Sequence, residues 1–165
     1  MEQTNYDPSN YTFFWQTESP FSNWHPAKYT CNEINFNCSE QGVMYDKALL
    51  FGDIEVAKNV LKCSVSEQGK MKSLGRKVNH FKENTWKKYR VEIYTKHCKA
   101  KFTQNEHLKQ KLIETRNTTL VEASPNDKIW GIGLHERDAK KTHPSKWPGT
   151  NLLGQLLTKI RDDVN

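Results

Sequence analysis

No stretch of this 165-residue chain stays apolar for the about 18 to 20 residues a helix needs to cross a bilayer. A soluble protein with no membrane partner is therefore expected. The N-terminus shows no charged region followed by an apolar core and a cleavage site, so no secretory route is expected either. The four cysteines, Cys31, Cys38, Cys63 and Cys98, have neither the C-x-x-C nor the Cys/His spacing of a zinc site. Without a secretory context, a Cys31 to Cys38 bridge across a hairpin is disfavoured. All four are expected as reduced thiols in a cytosolic or nuclear protein, with the cytoplasm as the assigned location. Internal repeats and low-complexity segments are also missing, which removes solenoid and disordered-array classes.

The nucleotide and hydrolase signatures are absent as well. There is no G-x-x-x-x-G-K-[ST], no G-x-G-x-x-G, no G-x-S-x-G and no H-E-x-x-H. P-loop, Rossmann, hydrolase-elbow and zincin chemistry lose their support. The hydrophobic fraction is a modest 35% and the mean hydropathy is -0.87. Five tryptophans, six tyrosines and seven phenylalanines nevertheless supply bulky apolar surface that disordered chains lack. One folded domain is the expectation at this length. Basic residues number 25 against 19 acids, a net charge of +6 with a pI near 9.1. That balance permits an anionic partner such as a phosphate-bearing ligand or nucleic acid, although solvated helix faces also carry such charge.

The pattern along the chain predicts mostly helices with a few N-terminal strands. Met1 to Asn10 is expected as a loose leader, Tyr11 to Gln16 as a short strand, and Lys28 to Asn37 as a small hairpin turning near Asn32 and Glu33. Ser39 is a candidate N-cap for a helix from Glu40 to Phe51, stopped by Gly52, and Asp53 caps a second one. A short helix opens at Ser66 and ends near Gly75. The longest runs from Thr85, capped by Asn84, to about Phe102, with Trp86, Arg90, Ile93, Tyr94, His97, Cys98 and Lys101 at helical spacing. Asn105 starts a further helix, Thr118 to Ala123 is β-prone, and Asn151 to Val164 packs Leu152, Leu153, Leu156, Leu157 and Ile160 on one side.

The segment from Val121 to Gly154 is the unusual one. Pro125 and Asn126 begin a loop studded with Gly131, Gly133 and Gly149, and it carries Asp127, Trp130, Trp147 and Asn151. Aromatic faces, a carboxylate and bare backbone in one loop suit a ligand site, while an ordered surface loop pinned by two tryptophans would look the same. Glu40 at a helix start and Asp127 in this loop are the acids in the most constrained contexts. A carboxylate that steers water to a sugar carbon is the minimal catalyst of glycosidic cleavage. Lys47 lies two turns from Glu40 on one helix face, and Gly75-Arg76 could offer a guanidinium to a phosphate.

Several separate motifs carry a resemblance. FSNWHP (21 to 26), NFNCSEQGVMYDKALLFGD (35 to 53), GR (75 to 76), W-x-x-x-R (86 to 90), AKF (100 to 102), LIET (112 to 115), LVEASPND-x-x-WGIG (120 to 133) and WPG-x-NLLG (147 to 154) are similar to the NADAR family, the YbiA-like N-glycosidases. The match runs in order from about Phe13 to the C-terminus. It departs at Gly42, where the family usually has an aromatic, and at Asp46, where a neutral glutamine is usual.

The resemblance implies a mainly α (α+β) fold in one domain over residues 11 to 165. It implies hydrolysis of a bond between nitrogen and an anomeric ribose carbon, on ADP-ribose conjugates including ADP-ribosylated DNA, or on phosphorylated intermediates of riboflavin synthesis. Its catalytic positions fall on Glu40, Trp86 and Asp127. Lys47, Arg76 and Lys101 match positions that hold phosphate or orient the acids. Ser22, Asn23, Asn126, Trp130, Gly131, Asn151 and Gly154 match the ligand-facing loops. No cofactor and no metal are implied, and a cognate ADP-ribosyltransferase toxin is the implied protein partner. A non-catalytic module that senses ADP-ribose or nucleic acid is the alternative of a different class.

Overall fold

The computed structural model describes residues 5–165. The chain divides into two compact units, one of residues 23–109 and one joining residues up to 22 with residues 110–165. Helix dominates both, and the few strands are short.

In the unit of residues 23–109, β2 (Tyr29–Cys31) and β3 (Ile34–Phe36) form the expected antiparallel hairpin, with Tyr29 opposite Phe36. Asn32 and Glu33 both take positive φ, 50° and 67°, the twist a two-residue hairpin needs. Four helices follow: α1 (Ser39–Leu50), α2 (Ile54–Leu61), α3 (Gln68–Arg76) and α4 (Glu83–Gln104). Helix α1 is central and packs on α2, α3 and α4. Its approach to α3 is close because a β-carbon on Gly75 would sit 2.1 Å from Met44 Sδ. Cys38, Cys63 and Met71 form one apolar cluster with Trp24, Val65 and Leu74, and Ala48, Ala57 and Val78 form another with Tyr45, Phe51 and Val56. All four cysteines are free thiols.

Three expected helix starts move. Cys38, not Ser39, is the N-cap of α1, and it makes no side-chain cap bond, because the first-turn Glu40 N–H donates instead to the Asn23 carbonyl at 2.9 Å. Helix α3 starts at Gln68 after Glu67, whose side chain accepts from the Ser64 amide at 3.0 Å. Helix α4 begins at Glu83 after an extended Lys82, which places an acid in the dipole-favoured first turn and leaves Asn84 inside the helix. Asp53 does cap α2, accepting from Val56 N at 3.1 Å.

In the other unit β1 (Tyr11–Phe14) pairs in parallel with β4 (Thr119–Glu122), and α7 (Leu152–Val164) packs on β4. Helix α5 (Glu106–Ile113) precedes β4. Val121, Ala123, Ile132 and Ala139 make the core here, with Tyr11, Phe13, Leu134 and Trp147 against them. Arg161, buried, closes the turn before β4 by donating to Thr118 O and Thr115 Oγ1. Between Gly133 and Asn151 the loop holds a short helix, α6 (Glu136–Ala139), and a 3-10 turn at Pro144–Lys146, neither visible in the sequence pattern. The leader expected over residues 1 to 10 begins outside the described residues. From Tyr6 it is ordered: the Tyr6 hydroxyl donates to Ala139 O at 3.0 Å, its ring meets Tyr11 and Trp147 edge-on, and Pro8–Asn10 is a 3-10 turn.

Candidate active site

Lys47 is the hub of the first group of candidate residues. It projects from the last turn of α1, and its ammonium donates to the Gly75 carbonyl at 2.9 Å beside Arg76. The same Nζ lies 4.9 Å from the Phe81 ring centroid and 5.4 Å from that of Trp86. Burial holds this ammonium below the ordinary lysine range, against the attraction of Glu40 and Glu83, while Arg76 adds repulsion. Lys47 therefore feels Glu40 and Arg76 electrostatically and lies over the Trp86 ring. Trp86 is 8% exposed and stacks obliquely near Tyr94, so its indole is a rigid wall. Arg76 is exposed at the end of α3, where a cation suits the helix dipole and remains open to an anion.

Glu40 is held by its backbone. Beyond the bond from its N–H to Asn23 O, the Ser39 hydroxyl donates to Asn23 Oδ1 at 2.9 Å, and Cys98 Sγ donates to the same oxygen at 3.3 Å. Gln41 accepts from Asn37 N at 2.8 Å and donates to Val60 O at 3.1 Å. These bonds on both sides fix the first turn of α1, so the Glu40 carboxylate leaves a backbone that cannot drift. Asn23, expected to meet ligand, has its side-chain oxygen committed to this clamp. Ser22 is buried in the preceding turn, with its N–H donated to Ser19 O at 3.1 Å.

Lys101 is 0% exposed, and desolvation brings its ammonium down to about 8, with Cys98 and Cys38 pulling the other way. A solvent-borne phosphate does not reach it in this conformation. Cys98 and Cys38, the latter at the N-cap of α1, are the groups that act on this enclosed ammonium. Burial pushes the neighbouring Cys38 thiol up to about 11, so it is no thiolate nucleophile at neutral pH.

A chain of polar groups centred on the buried His97 escaped the sequence reading. Tyr29 Oη is 2.8 Å from His97 Nδ1, His97 Nε2 is 2.5 Å from Asp46 Oδ2, and Lys96 Nζ is 2.8 Å from the same oxygen. The signal was present in Gly42 and Asp46, the two departures from the family pattern.

The second group lies in the unit of residues 110–165. Asp127 Oδ1 accepts from Ile129 N at 2.9 Å and Trp130 N at 2.8 Å, an Asx-type turn that presents a half-buried Trp130. Asn126 is exposed beside it. The first-turn N–H groups of α7, Leu152 and Leu153, donate to Ile129 O and Trp130 O at 3.0 and 3.1 Å. That helix end is therefore occupied by the loop. Asn151, left-handed at φ 55°, accepts from Glu122 N and donates to Leu120 O, both at 3.0 Å, as an extra peptide would. A β-carbon on Gly154 would lie 2.1 Å from Leu120 O, and one on Gly131 2.8 Å from Glu122 O. Asn151, Gly154 and Gly131 thus shape the loop that carries Asp127 and Trp130. Trp147 belongs to the core, donating its indole N–H to Thr142 O at 3.0 Å.

The model of the NADAR domain matches residues 13–165. N-glycosidase R617 of Acanthamoeba polyphaga mimivirus is 45% identical over 148 residues, covering 87% of this chain and 86% of that protein. Protein irg-1 of Caenorhabditis elegans is 36% identical over 170 residues, covering 93% and 79%. The solution structure of the Escherichia coli protein YbiA superposes with a TM-score of 0.74 at 23% identity, over 93% of this chain and 84% of that one, which shows the same mainly helical fold. A family match over residues 13–165, on the same fold as YbiA, shows that the protein belongs to the NADAR domain family.

Proposed function

We propose that this protein is an N-glycosidase that releases ADP-ribose from an ADP-ribosylated substrate, with guanine in DNA as the first candidate. The observation that carries this is the Lys47 cluster: a carboxylate on a clamped helix start, an indole wall and two cations at one place. An N-glycosidase relative matched over 86% of its length supports the reaction class.

As the bond from C1 of the ribose to nitrogen stretches, positive charge grows on the sugar. Glu40 is assigned to stabilise that charge and to receive a proton from the attacking water. The bonding electron pair leaves with the base nitrogen, the water oxygen bonds to C1, and the proton that Glu40 took from the water passes to the base nitrogen, which returns Glu40 to its ionised form. Trp86 packs against the sugar or base, and Lys47 and Arg76 meet the diphosphate with charge-assisted hydrogen bonds. Asp127 is the second acid of the proposal. Its Oδ1 is committed to the Trp130 turn, so Oδ2 is the oxygen assigned to chemistry. A cognate ADP-ribosyltransferase would supply the modified substrate.

The test is to incubate the protein in parallel with guanine-ADP-ribosylated DNA, ADP-ribosylated protein, NAD and a pyrimidine ribosylamine phosphate, and to detect released sugar by mass spectrometry. Release of ADP-ribose from the DNA supports the proposal. Turnover of the ribosylamine alone moves the function to riboflavin-type intermediates. Tight ADP-ribose binding with no turnover makes the protein a sensor.

A further inference from the structure

The basic residues are distributed along the chain, but the excess of them is not. From Glu67 to Arg90 there are eight lysines and arginines and two acids, a net +6, which leaves 17 of each sign in the rest of the chain. The whole net charge therefore sits on α3, the turn after it and the first two turns of α4. Lys72, Arg76, Lys77, Lys82, Lys87 and Lys88 are exposed there. Among the described residues none of these six is in an ion pair, while Lys70 of the same segment pairs with Glu67 at 3.7 Å. Like charges on adjoining segments repel, so a chain that is neutral elsewhere and carries its +6 on one such surface is suited to a polyanion.

Phe81 lies within this segment. It is 40% exposed, with Phe51 against it at 5.2 Å between centroids and the Lys47 ammonium near its face. An exposed ring backed by a cation can stack a nucleobase, but only one that is not paired in a duplex.

We propose that the α3–α4 surface binds single-stranded nucleic acid, its exposed cations tracking the phosphodiester backbone and Phe81 stacking a base at the mouth of the Lys47 cluster. This rests on the reading of that cluster as the active site. The strand delivers the modified nucleotide to Glu40, and the surface selects polymeric over free substrate.

The experiment is fluorescence anisotropy of the full chain with a labelled single-stranded oligodeoxythymidylate of about 12 nucleotides and a duplex of equal length, across a salt series. The affinity for the single strand should fall with salt at a slope of about -0.7 per phosphate neutralised. A Lys72→Glu, Lys82→Glu, Lys87→Glu variant should bind at least about 100-fold more weakly at roughly 50 mM salt. A control with Lys58→Glu, Lys141→Glu and Lys159→Glu, equal in net charge, should stay within about threefold of the parent. Phe81→Ala should weaken single-strand binding about tenfold and leave the duplex nearly unchanged. Thermal unfolding of each variant checks the fold, and glutamine in place of glutamate serves where a reversal fails to fold. Equal weakening by both triple variants overturns the proposal, as does capture of phosphatidylserine vesicles with no oligonucleotide binding. Oligonucleotide binding without turnover of any substrate defeats the enzymatic function alone, and turnover by a protein that binds no oligonucleotide defeats this surface alone.

Discussion

The Tyr29 hydroxyl lies 2.8 Å from Nδ1 of His97, in space that any side chain at residue 42 would take. A β-carbon on Gly42 would fall 2.2 Å from that hydroxyl and 2.3 Å from the ring nitrogen. On the far side of the ring, Asp46 accepts from His97 Nε2. The bonds join β2, α1 and α4, meeting α1 at Asp46, about 1.7 turns beyond Glu40. They also give a local reason for both departures from the family pattern: glycine leaves room for the pair, and a carboxylate at 46 satisfies the second nitrogen of a histidine that is 1% exposed.

Gly42→Ala should therefore destabilise the protein by about 2 to 4 kcal/mol, the sum of overpacking and a broken buried hydrogen bond. Urea unfolding monitored by tryptophan fluorescence measures it. An unchanged midpoint would mean that Tyr29 and His97 can move aside at no cost.

Asp46→Asn tests the other end of the chain through pH. Burial pushes the Asp46 carboxyl up, but bonds from His97 and Lys96 and their charges together outweigh it and hold the group below the usual carboxylate range. A lowered carboxyl contributes stability above its unfolded pKa, about 3.9, and loses it as pH falls through the folded value. The advantage of the parent over Asp46→Asn should be present at about pH 5 and shrink below about 4. A difference that stays constant through that window contradicts the assignment.

Much of this fold was legible because helices and hairpins announce themselves by spacing. The 3- and 4-residue recurrence in α1, α2, α4 and α7 and the Asn32-Glu33 turn needed nothing beyond the chain itself. What stayed hidden were choices made by partners distant in sequence. Asn23 looks like a ligand-facing loop residue, yet its oxygen serves Ser39 and Cys98. Asn151 follows a glycine loop, yet its amide completes β4. Lys101 reads as a phosphate cation, yet it is enclosed. Helix α6 was missed because four residues are too few to show a period.

Lys101→Met probes that enclosed ammonium. The folded value of about 8 lies below the unfolded one, so over the interval between them the unfolded chain holds a proton that the folded chain has released. The parent should gain stability relative to Lys101→Met as pH climbs from about 8 to 10.5, by roughly 3 kcal/mol in all. Parallel stability curves across that range would contradict the burial of this charge.

Asp127 has a structural and a proposed chemical task, and two substitutions separate them. Asp127→Asn keeps an oxygen for the Ile129 and Trp130 amides and should leave stability within about 0.5 kcal/mol, while slowing turnover about 100-fold. Asp127→Ala loses both and should also expose the loop to limited proteolysis near Ile129. Normal turnover by Asp127→Asn would reduce this acid to a turn-former.

Glu40→Gln is the decisive comparison, because the side chain keeps its shape and loses only its charge. With ADP-ribosylated DNA as substrate, the parent should release ADP-ribose and Glu40→Gln should be slower by about 100-fold or more, with ADP-ribose binding retained. Release at the parental rate by Glu40→Gln would contradict the account.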